Sequence, residues 1–152
     1  MAMVKNAKQS VLKWCKEERI FREDNKDENA AFNLTINYPV NIPHLMNVVQ
    51  PKNNDHVVIL CKTDSDPELL KKMKSMVKKE LDRFIWDIRF TLGSRPTEFE
   101  IRHKDGILES FMITAPIYLD GLTKDRFMSA LRDVYKTKLL VIWKIQQKFG
   151  EA

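Results

Sequence analysis

Cysteine, glycine and proline are all scarce in this chain, and each scarcity removes a class of explanation. The two cysteines, Cys15 and Cys61, are too few and too far apart for a disulfide framework, a CxxC redox pair or a zinc knuckle. Both sit inside apolar patterns and read as reduced, buried thiols of a cytoplasmic protein. Four glycines and six prolines, with no Ser/Gly-rich or Pro-rich stretch, leave no place for a flexible linker. Gly93 and Gly106 are isolated and make no phosphate-cradling loop, and no GxSxG elbow is present. The three histidines, His44, His56 and His103, show no HxxxH or HExxH spacing and no pairing with cysteine, so neither a metal nor a cofactor is expected. No apolar run exceeds five residues, as in Leu139 to Trp143, whereas a membrane-crossing helix needs roughly 20. Met1 to Ser10 carries Lys5 and Lys8 without an apolar stretch behind them, so no secretory signal is expected.

What is present is a core. A chain of 152 residues, 43% apolar, is long enough to bury one sizeable core, and a single domain spanning 1–152 is the expectation. A net charge of +5, from 26 basic and 21 acidic side chains of interspersed sign, permits nucleic acid without implying it.

The apolar periods give an order of elements. Val4, Ala7, Val11 and Trp14 or Cys15 recur at helical spacing and predict a first helix over about Val4 to Phe21. Arg22 to Asn29 contains no apolar residue and reads as a solvated connection. Its acidic residues lack the glycine and terminal glutamate of a calcium loop. Phe32, Leu34, Ile36 and Tyr38 alternate with polar residues as a half-buried strand. A second strand follows over Leu45 to Gln50 and a third over His56 to Lys62, the third apolar on both faces. Asp66 as cap and Pro67 at the first helical position start a long helix predicted to reach about Leu92. Its core stripe is Leu70, Met73, Val77, Leu81, Phe84 and Ile88. At roughly 1.5 Å per residue such a rod is about 38 Å long. Phe99 and Ile101 point inward from the fourth strand, and Asp105-Gly106 supplies the tight turn to the fifth. That strand buries Phe111, Ile113 and Ala115, and Pro116 marks an edge position or a bulge. Thr123 caps a last helix with the stripe Phe127, Leu131, Val134, Ile142, Ile145 and Phe149.

The resulting class is α+β in the order α-β-β-β-α-β-β-α, which is similar to the fold of type III secretion chaperones. That resemblance implies a bent antiparallel sheet with two long helices packed on one face. At residue level, Trp14, the acidic connection, Phe32-Asn33-Leu34-Thr35-Ile36-Asn37-Tyr38-Pro39 and His56-Val57-Val58-Ile59 resemble an uncharacterised family of small archaeal proteins, a domain of unknown function. The family brings no catalytic residues. The fold analogy implies a module that dimerises and presents apolar surface to a client segment.

Two surfaces compete for function. Val58 and Leu60, Met112 and Tyr118, and Leu140 and Trp143 exceed what one core face absorbs and form the candidate protein interface. Lys71, Lys74, Lys78 and Lys79 along the long central helix could follow a phosphate backbone, although acidic residues interrupt them and no Phe or Tyr is expected to interleave on the exposed side for stacking. Glu98 and Glu100 share a strand face, as an alternating solvated strand does without any acid/base role. The reading is a non-enzymatic protein- or peptide-binding module acting as a homodimer, with nucleic-acid association as the alternative.

Overall fold

The computed structural model describes residues 6–42 and 44–150. Its elements are α1 (Ala7–Glu17), β1 (Phe21–Asn25), β2 (Ala30–Tyr38), β3 (His44–Pro51), β4 (His56–Asp64), α2 (Pro67–Lys74), α3 (Lys78–Gly93), β5 (Glu98–Lys104), β6 (Ile107–Tyr118), a 3-10 turn (Leu119–Gly121) and α4 (Lys124–Phe149). The fold is α+β, and its six strands form an antiparallel sheet in the order β1-β2-β3-β4-β6-β5. The chain divides into two compact units, Met1–Cys61 with Thr114–Tyr135, and Lys62–Ile113 with Lys136–Ala152.

In the first unit, antiparallel register decides which side chains share a face. Leu34 stands opposite Val48 and Val48 opposite Ile59, while Ile36 stands opposite Met46. All five are fully buried, so this face of β2, β3 and β4 is core. Phe127, Leu131 and Val134 of α4 are fully buried as well, and the Phe127 ring lies 5.8 Å from Trp14 of α1. Thr123 caps α4 by accepting from the Arg126 N–H at 3.1 Å. Lys124 bridges Glu17 at 3.3 Å and Glu18 at 3.0 Å, and those two carboxylates, Glu18 first, hold its ammonium above the ordinary lysine range.

In the second unit, Asp66 caps α2 by accepting from the Leu69 N–H at 2.7 Å. Met73, Ile88, Leu92, Leu108, Ile113 and Val141 are fully buried. Thr137, also fully buried, sits 3.2 Å from Thr97 Oγ1 and accepts from Arg95 Nε at 3.2 Å, tying the approach to β5 onto α4. Asp105 and Gly106 adopt φ of 54° and 78°, the left-handed conformation that the β5–β6 turn demands.

Five expectations are corrected. Arg22 to Asn29 is not all connection, because Phe21–Asn25 forms β1 against β2. As an edge strand with its middle exposed on both faces, it carries no apolar period to read and is held by its backbone ladder and by Lys8 on Asp24 at 2.8 Å. The first helix ends at Glu17 rather than Phe21, and Val4 lies outside the described residues. The Ile20 N–H donates to Cys15 O at 2.9 Å and the Arg19 N–H to Lys16 O at 3.1 Å, with Arg19 at φ 61°. This is a Schellman stop whose left-handed position holds arginine instead of glycine, which hid it from sequence. Arg19→Gly is therefore expected to raise unfolding free energy by about 0.5–1 kcal/mol. A urea midpoint equal to or below the parent's would sink that expectation.

The long central helix is two helices. Ser75 ends α2, folding its hydroxyl back to Lys72 O at 2.8 Å, and Val77 begins α3 with extended backbone, ψ 134°. Val77, assigned to the core stripe, is 67% exposed. The 3 and 4 spacing continues through Met73, Val77 and Leu81, so periodicity alone cannot reveal the break. Phe99 is exposed instead of inward, since β5 ends the sheet. Finally, β6 is not an edge strand, lying between β4 and β5. Its Pro116 falls where twelve-residue β6 outruns seven-residue β5 and needs no ladder partner on that side.

Candidate functional site

The sheet face away from the buried row carries Val58 and Leu60. Val58 stands opposite Val49, itself opposite Asn33; Leu60 stands opposite Asn47, itself opposite Thr35. Both are half-buried, unlike Val57 and Ile59 on the other side of the same strand. Beside them the polar groups satisfy one another. Asn25 Nδ2 donates to Thr35 Oγ1 at 2.7 Å and to Asn33 Oδ1 at 3.3 Å, and Asn47 Nδ2 donates to Asn33 Oδ1 at 3.1 Å. Asn33 Nδ2 in turn donates to Asp27 Oδ2, a bond that, with the Asn29 N–H, holds the Asp27 carboxyl below its usual range. The ladder fixes strand register and spends its donors internally. On β6, Tyr118 is 56% exposed, its ring 5.4 Å from that of His56.

The remaining expected interface residues lie elsewhere. Half-buried Met112 lines a small hollow of about 100 Å³ with Lys62, Glu100, Arg102 and Ser110, a charged rim rather than an apolar face. On α4, Leu140 is half-buried and Trp143 is 56% exposed, so the apolar belt is not enclosed all round. Lys71, Lys74, Lys78 and Lys79 are all exposed, but Lys71 and Lys74 stand on α2 and the other two on α3. The interruption is of the helix, at residues 75–77, and the four lysines do not share one rod.

The surface that sequence reasoning missed is on α3. Trp86 and Phe90 are 53% and 70% exposed, with ring centroids 5.7 Å apart, and the Arg89 guanidinium lies 4.7 Å from the Trp86 ring. They flank a groove of about 510 Å³ between α3 and α4 lined also by Glu80, Arg83, Phe84, Asp87, Lys144, Gln147 and Lys148. Its floor is fixed by Phe84, edge-on to Phe149 at 5.1 Å, and one wall is tied by Lys144 to Asp87 at 3.2 Å. Trp143 precedes Gln147 by one helical turn but does not itself line the groove. The available signal was an i, i+4 aromatic pair, Trp86 and Phe90, lying off the Leu81, Phe84 and Ile88 stripe, with Arg83 and Arg89 close by in sequence.

Reactive groups are dispersed. Among the described residues no three His, Cys, Asp or Glu side chains cluster as a metal site requires. Burial pushes the Cys15 thiol up to about 12, away from the thiolate a nucleophile needs. His103 lies 3.0 Å from the Arg89 guanidinium and is exposed, as are Glu98 and Glu100. Among the described residues no helix is long and apolar enough to cross a membrane.

No curated protein matches the chain. A solved structure of an uncharacterized protein from Methanothermobacter thermautotrophicus is 36% identical, with 93% of this chain and 98% of that one aligned at a TM-score of 0.89. YbjN from E. coli, regarded as a candidate transcription regulator, aligns over 97% of this chain and 96% of its own at a TM-score of 0.56 and 10% identity, a likeness of fold alone. A family model described as "Uncharacterized conserved protein (DUF2299)" matches residues 7–145. With residues 7–145 matched by the family model and a relative of the same fold at 36% identity over 93% of the chain, this protein belongs to the DUF2299 family.

Proposed function

We propose that this protein is a non-enzymatic binding module, chaperone-like or adaptor in kind, that acts as a homodimer and takes a protein or peptide segment into the α3–α4 groove. The observation that supports this reading is the exposed Trp86–Phe90 pair lining the groove, with Arg89 against the Trp86 ring. Tryptophan and arginine are the side chains that most often carry binding energy at protein interfaces. A helix-lined groove with aromatic walls suits the apolar face of an amphipathic segment. Asp87 is neutralised by Lys144, which leaves Arg83 and Lys148 against Glu80 along the groove. The segment favoured is therefore one with acidic residues flanking its apolar anchors.

The alternative is nucleic acid on Lys71, Lys74, Lys78 and Lys79. The experiment that separates the two is capture of partners by the tagged protein at physiological salt, with and without nuclease, alongside Lys71→Glu/Lys74→Glu/Lys78→Glu. A stoichiometric protein retained after nuclease, and unaffected by the charge reversal, is expected. Loss of all partners with the nucleic acid, together with steep salt dependence, would move the function to the lysines.

A further inference from the structure

We infer that the homodimer forms by antiparallel pairing of β5 with β5 of a second copy, extending the sheet across a two-fold axis at Ile101. This gives a geometry to the homodimer proposed above and rests on that part of the reading. β5 is the end strand of the sheet, with β6 as its one neighbour in the strand order. Its residues are exposed except half-buried Ile101, and Phe99 is 41% exposed. An edge of this kind is a template for another strand unless something blunts it. The opposite edge is blunted: β1 is five residues long and its register shifts between Phe21 and Glu23.

The choice of a second copy comes from the strand's own sequence, Glu-Phe-Glu-Ile-Arg-His-Lys. Laid antiparallel on itself about Ile101, it places Glu98 opposite Lys104 and Glu100 opposite Arg102, each twice by symmetry. On the other face it places Phe99 opposite His103. A shift of two residues one way brings Glu100 onto Glu100, and the other way Arg102 onto Arg102. Parallel pairing in register sets every charge against its like. Only the register centred on Ile101 matches opposite charges throughout, and facing charges of one sign are destabilising in a sheet. Within one copy Glu100 and Arg102 are 3.8 Å apart and well exposed, so both are available to a partner strand. A two-fold interface must be self-complementary, and this strand is.

The test is self-association over a concentration series by analytical ultracentrifugation, for the parent and for two charge variants. Glu98→Lys/Glu100→Arg makes the polar face of β5 wholly basic, and Arg102→Glu/Lys104→Glu makes it wholly acidic. Each variant alone is expected to dimerise at least roughly 100-fold more weakly than the parent. An equimolar mixture of the two is expected to regain a one-to-one dimer. The replaced side chains are exposed, so thermal melts should match the parent's and exclude misfolding. A dimer that persists unchanged in both variants overturns the β5 geometry while keeping the homodimer. A parent that stays monomeric throughout overturns the geometry and the homodimer together, leaving partner capture by the groove to stand or fall by itself.

Discussion

Replacing Phe127 by alanine is expected to lower the unfolding free energy by about 3–5 kcal/mol. Phe127 is fully buried, and its ring meets Trp14, so its loss removes apolar area and leaves a cavity where α1 and α4 meet. The site cannot collapse cheaply. α4 is pinned just before it by the Thr123 cap and by Lys124 on Glu17 and Glu18, while α1 is stopped by its Schellman turn. With a urea dependence of about 1–3 kcal/mol/M for a domain of this size, the midpoint should fall by more than about 1 M. Trp143→Ala, made in the same helix at a residue 56% exposed, serves as the contrast and should stay within about 0.5–1 kcal/mol of the parent. A loss below about 1.5 kcal/mol at Phe127 would show that this contact is not part of the core.

Phe127 was readable because its stripe repeats at helical spacing behind a capping threonine, and burial follows from such a pattern without knowledge of the partner. Asp66-Pro67 and Asp105-Gly106 were readable for the same local reason: cap and turn chemistry act within a few residues. The misses are places where local chemistry is silent or contradicts the period. β1 is an edge strand defined by pairing with β2, and pairing leaves no trace in an exposed sequence. At Ser75 the hydroxyl competes for a backbone carbonyl while the apolar spacing runs on undisturbed. Arg19 takes a conformation its type disfavours because burial of Ile20 and two backbone bonds over-determine it. The same limit governs the candidate site. Surplus apolar residues could be counted from sequence, which found exposed Trp143 and Tyr118, but Val58 and Leu60 are only half accessible. Trp86 and Phe90 lie off the buried Leu81, Phe84 and Ile88 stripe, so their face was legible, but the α4 residues that complete the groove beside them were not.

Trp86→Glu combined with Phe90→Ala is expected to abolish capture of the protein partner while leaving the fold intact. Both side chains are more than half exposed, so little core packing is lost and the thermal midpoint should move by no more than a surface substitution does. Binding stands differently. Central aromatic anchors each contribute about 2–4 kcal/mol when truncated, or roughly 30- to 700-fold in affinity, and the glutamate would pair with and neutralise the Arg89 that now covers the ring while repelling the acidic flanks of the segment. Trp143→Ala, on α4 outside the groove's lining, should weaken the same partner by less than tenfold. Tyr118→Ala lies on the sheet, 5.4 Å from His56, and should leave capture unchanged. The pattern across the variants is what discriminates, since each surface predicts a different ranking. Equal loss at Trp143 and Tyr118, with Trp86 and Phe90 tolerated, would return the interface to the sheet and α4 and reject the α3 groove. Undiminished capture by all of them, with loss on reversing Lys71, Lys74 and Lys78, would instead place the partner on the basic surface of α2 and the start of α3, where attraction to phosphate rather than aromatic burial supplies the free energy.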